Sequence, residues 1–297
     1  MANLDAIDSD RLPSGIRSVF CDGVNGLRMH YLGAGWENGT APVLLLLHGF
    51  PEVAYSWRKV MPALAEAGYR VIAPDQRGYG RTTGWDPHYD CDLSKYNMPN
   101  LVQDLCDLLG KLEIQSVGAV VGHDFGSSVA AFCALSRPDI FKSVALMSAP
   151  FSGVPKDVGT AQHADIDLSL AELPTPRKHY QRYYSTAQAN HDMMGAAQGL
   201  KQFLRDYFFS KSADWIGNKP YPLSSWSADE LAKMPTYYIM HQNHDIAETA
   251  AEYQVDCQRR SKNPPLAGVK MYQFDGVGQS SLSAFSGAAV GCGAGRG

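Results

Sequence analysis

The residue with the most pointed chemistry in this chain is an aspartate. Asp124 lies in Val120-Val121-Gly122-His123-Asp124-Phe125-Gly126, where an apolar run meets a turn flanked by glycines. A Gly-x-nucleophile-x-Gly turn between a strand and a helix holds its central side chain up at the end of a sheet. Ser or Cys in that place attacks acyl carbon. A carboxylate attacks saturated carbon instead and is left as an alkyl ester. The plainer reading, an Asp that caps the helix after it, suits a helix start equally well, so the neighbouring motifs must choose.

Those motifs need a frame, and strand and helix signals alternate from about Arg17 to Ala149. Arg17–Cys21 and Leu27–Leu32 read as short strands of a hairpin around Asp22-Gly23. Val43–Leu47 is a continuous apolar run, as in a strand buried on both faces. Arg70–Ala73, Ser116–Val121 and Val144–Met147 are further strands. Tyr55–Ala67, Met98–Leu112 and Phe125–Ser136 have helical spacing, and Pro138 stops the last. Helices of that length between strands imply crossovers and a parallel sheet. After Pro150 the chain becomes rich in Tyr, Phe, Trp and Met and reads as helices broken by loops, with Leu200–Phe209 the clearest helix. The expected organisation is a sheet domain over 1–150, a helical cap over 151–252, and a C-terminal remnant over 253–297. Within that remnant, Gly268–Phe274 could be a strand, and the Ser/Gly/Ala-rich tail from Ser283 is expected to be disordered.

Three motifs occur in order, each after a strand: His48-Gly49-Phe50-Pro51-Glu52, Asp75-Gln76-Arg77-Gly78-Tyr79-Gly80, and the Asp124 turn. As a set they resemble the soluble-type epoxide hydrolases of the α/β-hydrolase superfamily, over roughly residues 15–250. The resemblance implies an α/β-hydrolase fold: a mostly parallel sheet, helices on both faces, and an inserted helical cap. It makes Asp124 the nucleophile. The backbone N–H groups of Phe50 and Phe125 become the oxyanion hole for the second step, in which water attacks the Asp ester. Tyr180, in His179-Tyr180-Gln181-Arg182-Tyr183-Tyr184, matches a cap tyrosine that would donate its hydroxyl proton to the epoxide oxygen. His48 and His123 read as structural.

The match fails towards the end of the chain. The family has a second cap tyrosine in a Trp-Tyr-Arg stretch, a strand ending in a triad acid, and a later His in a Gly-rich turn. This sequence has no Trp-Tyr pair and no His after His244, and Gln279 occupies the His slot in Phe274-Asp275-Gly276-Val277-Gly278-Gln279. The C-terminal part of the sheet is therefore expected to be incomplete, with a strand edge left open, as after a deletion or a shifted reading frame. His241 and His244 could in principle substitute, though they fall in cap sequence. Epoxide opening needs only Asp124 and a proton donor. Ester hydrolysis needs a base, so turnover is in doubt.

Composition narrows the field. The 297 residues are 45% apolar and 19% charged, with a net charge of −4. That gives no pull toward nucleic acid or anionic membranes. No apolar stretch is long enough to span a membrane, the first residues carry no secretory signal, and a cytoplasmic location is expected. Six scattered cysteines read as reduced thiols. No metal or cofactor motif occurs. The partner implied is a small apolar epoxide, for instance an intermediate of secondary metabolism, opened to a vicinal diol; oligomeric state is left open. Two other readings stand beside this one. The chain could be a catalytically dead α/β-hydrolase that binds a ligand or a partner. It could instead be a haloalkane dehalogenase-like hydrolase, against which Phe125 counts, because Phe lacks the side-chain donor that holds a leaving halide.

Overall fold

The apolar run Val43–Leu47 lies at the middle of a six-stranded sheet. In this computed structural model, residues 4–149, 151, 153, 161–219 and 221–261 are described. The strands are β1 (Arg17–Val24), β2 (Leu27–Ala34), β3 (Val43–Leu47), β4 (Arg70–Pro74), β5 (Ala119–His123) and β6 (Val144–Met147), in the spatial order β1-β2-β4-β3-β5-β6. The two pairings made by β2 are antiparallel, and β4-β3, β3-β5 and β5-β6 are parallel. Helices α1 (Met61–Glu66), α2 (Met98–Lys111) and α3 (Phe125–Ser136) bridge the parallel strands. Six mostly parallel strands with crossover helices are the α/β-hydrolase architecture expected from the sequence.

Side chains alternate across each strand, so the apolar runs serve two cores at once. Val43, Leu45, Leu47, Ile72 and Val120 pack with α2 and α3 on one face. Leu46, Val71 and Ala73 pack with Met61 of α1 on the other, joined by Leu44 and Val121. This two-sided burial explains why β3 reads as a solid apolar block.

Three local expectations are corrected. The β1-β2 turn is at Asn25-Gly26, with φ of 47° and 81°, and Val24 pairs with Leu27 across it. Two central residues of positive φ match the twist of a two-residue hairpin. Asp22-Gly23 is instead a register shift between Asp22 and Val24, a bulge that glycine at φ 73° accommodates. The helix expected over Tyr55–Ala67 is split into a 3₁₀ segment, Ala54–Lys59, and then α1. Pro62 has no N–H to give and sits in the first turn of α1, where that loss costs nothing. The strand expected over Ser116–Val121 begins at Ala119 and runs on to His123, because its pairing with β3 covers Ala119–Gly122.

Strand β6 lies at the edge of the described sheet. All four of its residues are exposed, including Val144, Leu146 and Met147. An apolar strand of this kind is built to be covered on both faces.

The described residues form two compact units, 4–153 and 161–261. The second contains helices α4 (Ala161–Ala171), α5 (Tyr180–Tyr184), α6 (Ala187–Met194), α7 (Leu200–Ser210), α8 (Ala228–Leu231), α9 (Ile246–Ala251) and α10 (Gln254–Ser261). It also contains a two-stranded antiparallel sheet missed by pattern reading, β7 (Arg177–His179) with β8 (Ile239–His241). Three-residue strands are too short for an alternation signal. The possible strand at 268–274 and the C-terminal tail lie outside the described residues. Among the described residues, no helix is long and apolar enough to cross a membrane.

Candidate active site

Asp124 joins β5 to α3 in a strained conformation. Its φ of 53° and ψ of −121° carry a cost of about 1–3 kcal/mol for a residue with a Cβ. Neighbouring bonds hold it there. The Asp124 N–H donates to the Met147 carbonyl at 3.0 Å, and its own carbonyl accepts from the Ser127 N–H at 2.9 Å. The Ser127 hydroxyl donates to the Gly122 carbonyl at 2.7 Å and accepts from the Met147 N–H at 3.0 Å. The flanking glycines are required by close approach. A methyl on Gly122 would collide with the Gly126 carbonyl, and one on Gly126 with the carbonyls of Leu47 and His48.

The side chain does not cap α3. Its Oδ1 accepts the Phe50 N–H at 3.1 Å, and among the described residues it forms no ion pair. One of the two expected oxyanion-hole donors, Phe50, thus sits against the carboxylate. The other, Phe125, is the first residue of α3, and its ring packs against the core beneath the sheet.

The Phe50 loop is braced from both sides. The Glu52 N–H donates to the Gly49 carbonyl at 3.1 Å, and the Gly49 N–H to Glu52 Oε2 at 3.2 Å. His48 is buried with both ring nitrogens engaged: Nδ1 donates to the Gly49 carbonyl at 2.9 Å, and Nε2 accepts the Gln76 N–H at 3.1 Å. Burial lowers its pKa, so it is a neutral fixed bracket. Asp75 anchors the second motif. It accepts His30 Nδ1 at 2.7 Å and the backbone N–H groups of Ala54 and Arg81, each at 2.8 Å. Burial pushes its pKa up, but the His30 charge and hydrogen bond prevail and lower it to about 2.

Two features escaped the sequence reading. The first is a dyad: Glu52 Oε2 lies 2.8 Å from His123 Nδ1. This hydrogen bond raises the His123 pKa, aided by the charges of Glu52 and Asp124 and opposed by burial. For Glu52, burial is the largest influence and works upward, but the His123 interaction outweighs it and the pKa falls. The second is Tyr79, whose ring meets His48 edge-on at 4.8 Å. Its hydroxyl is buried without a hydrogen-bond partner among the described residues. Burial and then the Asp124 charge hold its pKa well above the usual phenol range. The dyad members are 71 positions apart, and the only advance signal was Glu52 ending the first motif while His123 precedes the nucleophile.

Tyr180 lies in the second unit and is the first residue of α5. Its ring stacks edge-on against Tyr184 at 5.6 Å and Tyr238 at 5.3 Å. Its hydroxyl accepts Gln181 Nε2 at 3.4 Å. The Lys211 ammonium is 5.9 Å from its ring centroid and donates to the Tyr207 hydroxyl at 2.5 Å. The substitute histidines are also here, His241 beside Arg177 at 3.2 Å and His244 beside Glu252 at 3.1 Å. Among the described residues, no group of three His, Cys, Asp or Glu side chains could hold a metal ion.

Residues 42–278 match the family described as alpha/beta hydrolase fold. The chain belongs to that family. Among curated α/β-hydrolase relatives, it is 45% identical over 127 residues to an epoxide hydrolase of Caballeronia sordidicola, a stretch covering 43% of this chain and 36% of that one. It is 36% identical over 186 residues to epoxide hydrolase B of Mycobacterium tuberculosis, covering 59% and 50%. The chain thus spans between about a third and a half of the length of these relatives. Among solved structures, an epoxide hydrolase from an endophytic Streptomyces aligns with a TM-score of 0.66 at 24% identity, over 94% of this chain and 74% of that one. A laboratory-evolved variant of potato epoxide hydrolase aligns with a TM-score of 0.58 at 26% identity, over 93% and 75%. The likeness read from the three motifs is borne out: this α/β-hydrolase is most similar, in these matches, to hydrolases of the epoxide-opening type.

Proposed function

We propose that the chain opens a small apolar epoxide through an Asp124 alkyl ester, and that the second half of the reaction is its slow half. The observation that carries this reading is the Asp124 carboxylate, strained in its backbone, uncommitted to the helix cap and held by the Phe50 N–H at 3.1 Å. A carboxylate so placed attacks a ring carbon. The C–O bond breaks, and the departing alkoxide takes a proton from a hydroxyl donor, the role that the family resemblance gives to Tyr180. Water then attacks the ester carbonyl carbon, and the N–H groups of Phe50 and Phe125 receive the negative charge. The product is a vicinal diol.

The family places its acid and its base late in the chain. In this sequence Gln279 stands in the slot of that base, which supports slow ester hydrolysis. A side chain without a donor at position 125 favours epoxide over halide as the leaving group. The test is intact-protein mass spectrometry after mixing with styrene oxide. A mass increase of one substrate molecule, mapped to Asp124 and lost in Asp124→Asn, is the expected result. Neither adduct nor diol after prolonged incubation would overturn the reading in favour of a binding protein.

A further inference from the structure

We propose that His123, oriented by Glu52, takes the proton from the water that hydrolyses the Asp124 ester. This rests on the reading of Asp124 as nucleophile.

The sequence given holds nine histidines, all before Asp245, and these are the candidates for a histidine base within it. Four lie in the described part of the sheet unit. His30 is fully buried with its ring nitrogens against Ser18 Oγ at 2.8 Å and Asp75 at 2.7 Å. His48 has both nitrogens engaged. His88 pairs with Asp86 on an exposed loop after β4. His123 alone adjoins the nucleophile, and it has the two properties of a working base. An acid fixes its Nδ1, at 2.8 Å, which directs the N–H to that side and leaves Nε2 as the acceptor. Its side chain is 33% exposed, so water reaches it.

The acid is itself well placed. Glu52 accepts the Gly49 N–H, and the next peptide in the same loop gives the Phe50 N–H to Asp124. A methyl on Gly49 would collide with the Asp124 side chain and the His123 carbonyl. Dyad and nucleophile therefore flank one tightly packed loop.

The charges add a control. Glu52 and Asp124 are the charged groups that act on His123 among the described residues, and both favour its protonated form. Alkylation turns Asp124 into a neutral ester. One of the two negative charges disappears, and His123 gives up its proton more readily at the moment a base is needed.

In the step itself, His123 Nε2 removes a proton from water as the water oxygen bonds to the Asp124 carbonyl carbon. The bond from that carbon to the ester oxygen then breaks. The departing diol oxygen recovers the proton from Nε2. The new Asp124 carboxyl gives up the second water proton, which replaces the one lost by the hydroxyl donor in ring opening. Asp124 is thereby restored as a carboxylate with one oxygen from water, and one water is consumed in total.

The experiment is a single turnover with styrene oxide, following adduct by intact mass and diol by chromatography across pH. Neutral His123 is the active form, so adduct decay should quicken as pH rises and level off above the His123 pKa. His123→Gln should slow decay about 10²-fold, the usual worth of a general base, and slow adduct formation far less. Glu52→Gln should move the inflection to lower pH. A decay rate flat with pH in the unaltered protein, or decay in a folded His123→Gln variant within about threefold of it, would sink the proposal and leave the Asp124 reading standing. Absence of both adduct and diol would remove both.

Discussion

The backbone of Asp124 lends itself to a quantitative test. At φ 53° and ψ −121°, any residue with a Cβ carries strain of about 1–3 kcal/mol. Asp124→Ala keeps that strain and loses the hydrogen bond from the Phe50 N–H. Asp124→Gly loses the same bond but releases the strain, against about 0.5–1 kcal/mol of added freedom in the unfolded chain. The shared loss cancels between the two variants. Glycine should therefore be the more stable by about 1 kcal/mol, the reverse of the usual order of alanine over glycine. Urea denaturation of both, followed by circular dichroism with equal slopes, measures the difference. If the alanine variant proves equal or better, the strain is illusory and the carboxylate is not aimed by its backbone. Both variants should fail to form the styrene oxide adduct, so a more stable glycine protein would show stability and reactivity traded at one residue.

Other predictions follow from the same neighbourhood. Tyr79→Phe removes a buried hydroxyl with no hydrogen-bond partner among the described residues, so stability should hold or rise by up to about 1 kcal/mol; a clear loss in urea denaturation would reveal a partner for that hydroxyl. Gly126→Ala forces a methyl into the carbonyls of Leu47 and His48 and should cost about 3 kcal/mol, whereas an unchanged melting temperature would refute the close approach. Asp75→Asn breaks the buried pair with His30 and should cost about 3–5 kcal/mol at neutral pH. The folded pKa of Asp75, about 2, lies below its ordinary 3.8, so its stabilisation is present above pH 4 and drains away as pH falls toward 2. The penalty of the Asn variant should then shrink by about 1 kcal/mol between pH 7 and pH 3, and a penalty independent of pH would contradict the assignment.

The parts of this protein written locally were legible in its sequence. Val43–Leu47 announced a strand buried on both faces because solid apolar runs suit few other places. Gly122 and Gly126 around Asp124 announced a sharp turn because only glycine survives such close backbone contact. The hairpin was misplaced by three residues because Asp-Gly and Asn-Gly carry the same turn chemistry, and only strand register decides which becomes the turn and which the bulge. The 3₁₀ segment before α1 was hidden because apolar spacing does not register a missing N–H. What composition and spacing could not supply was pairing at a distance. Glu52 meets His123 because β3 and β5 are neighbours in parallel register, which brings the loop after one strand to the end of the other. The Tyr79 hydroxyl, unpartnered among the described residues, and the lowered pKa of Asp75 likewise depend on what surrounds each group. Residue types set which chemistry was available; the register of the sheet decided which of them could act together.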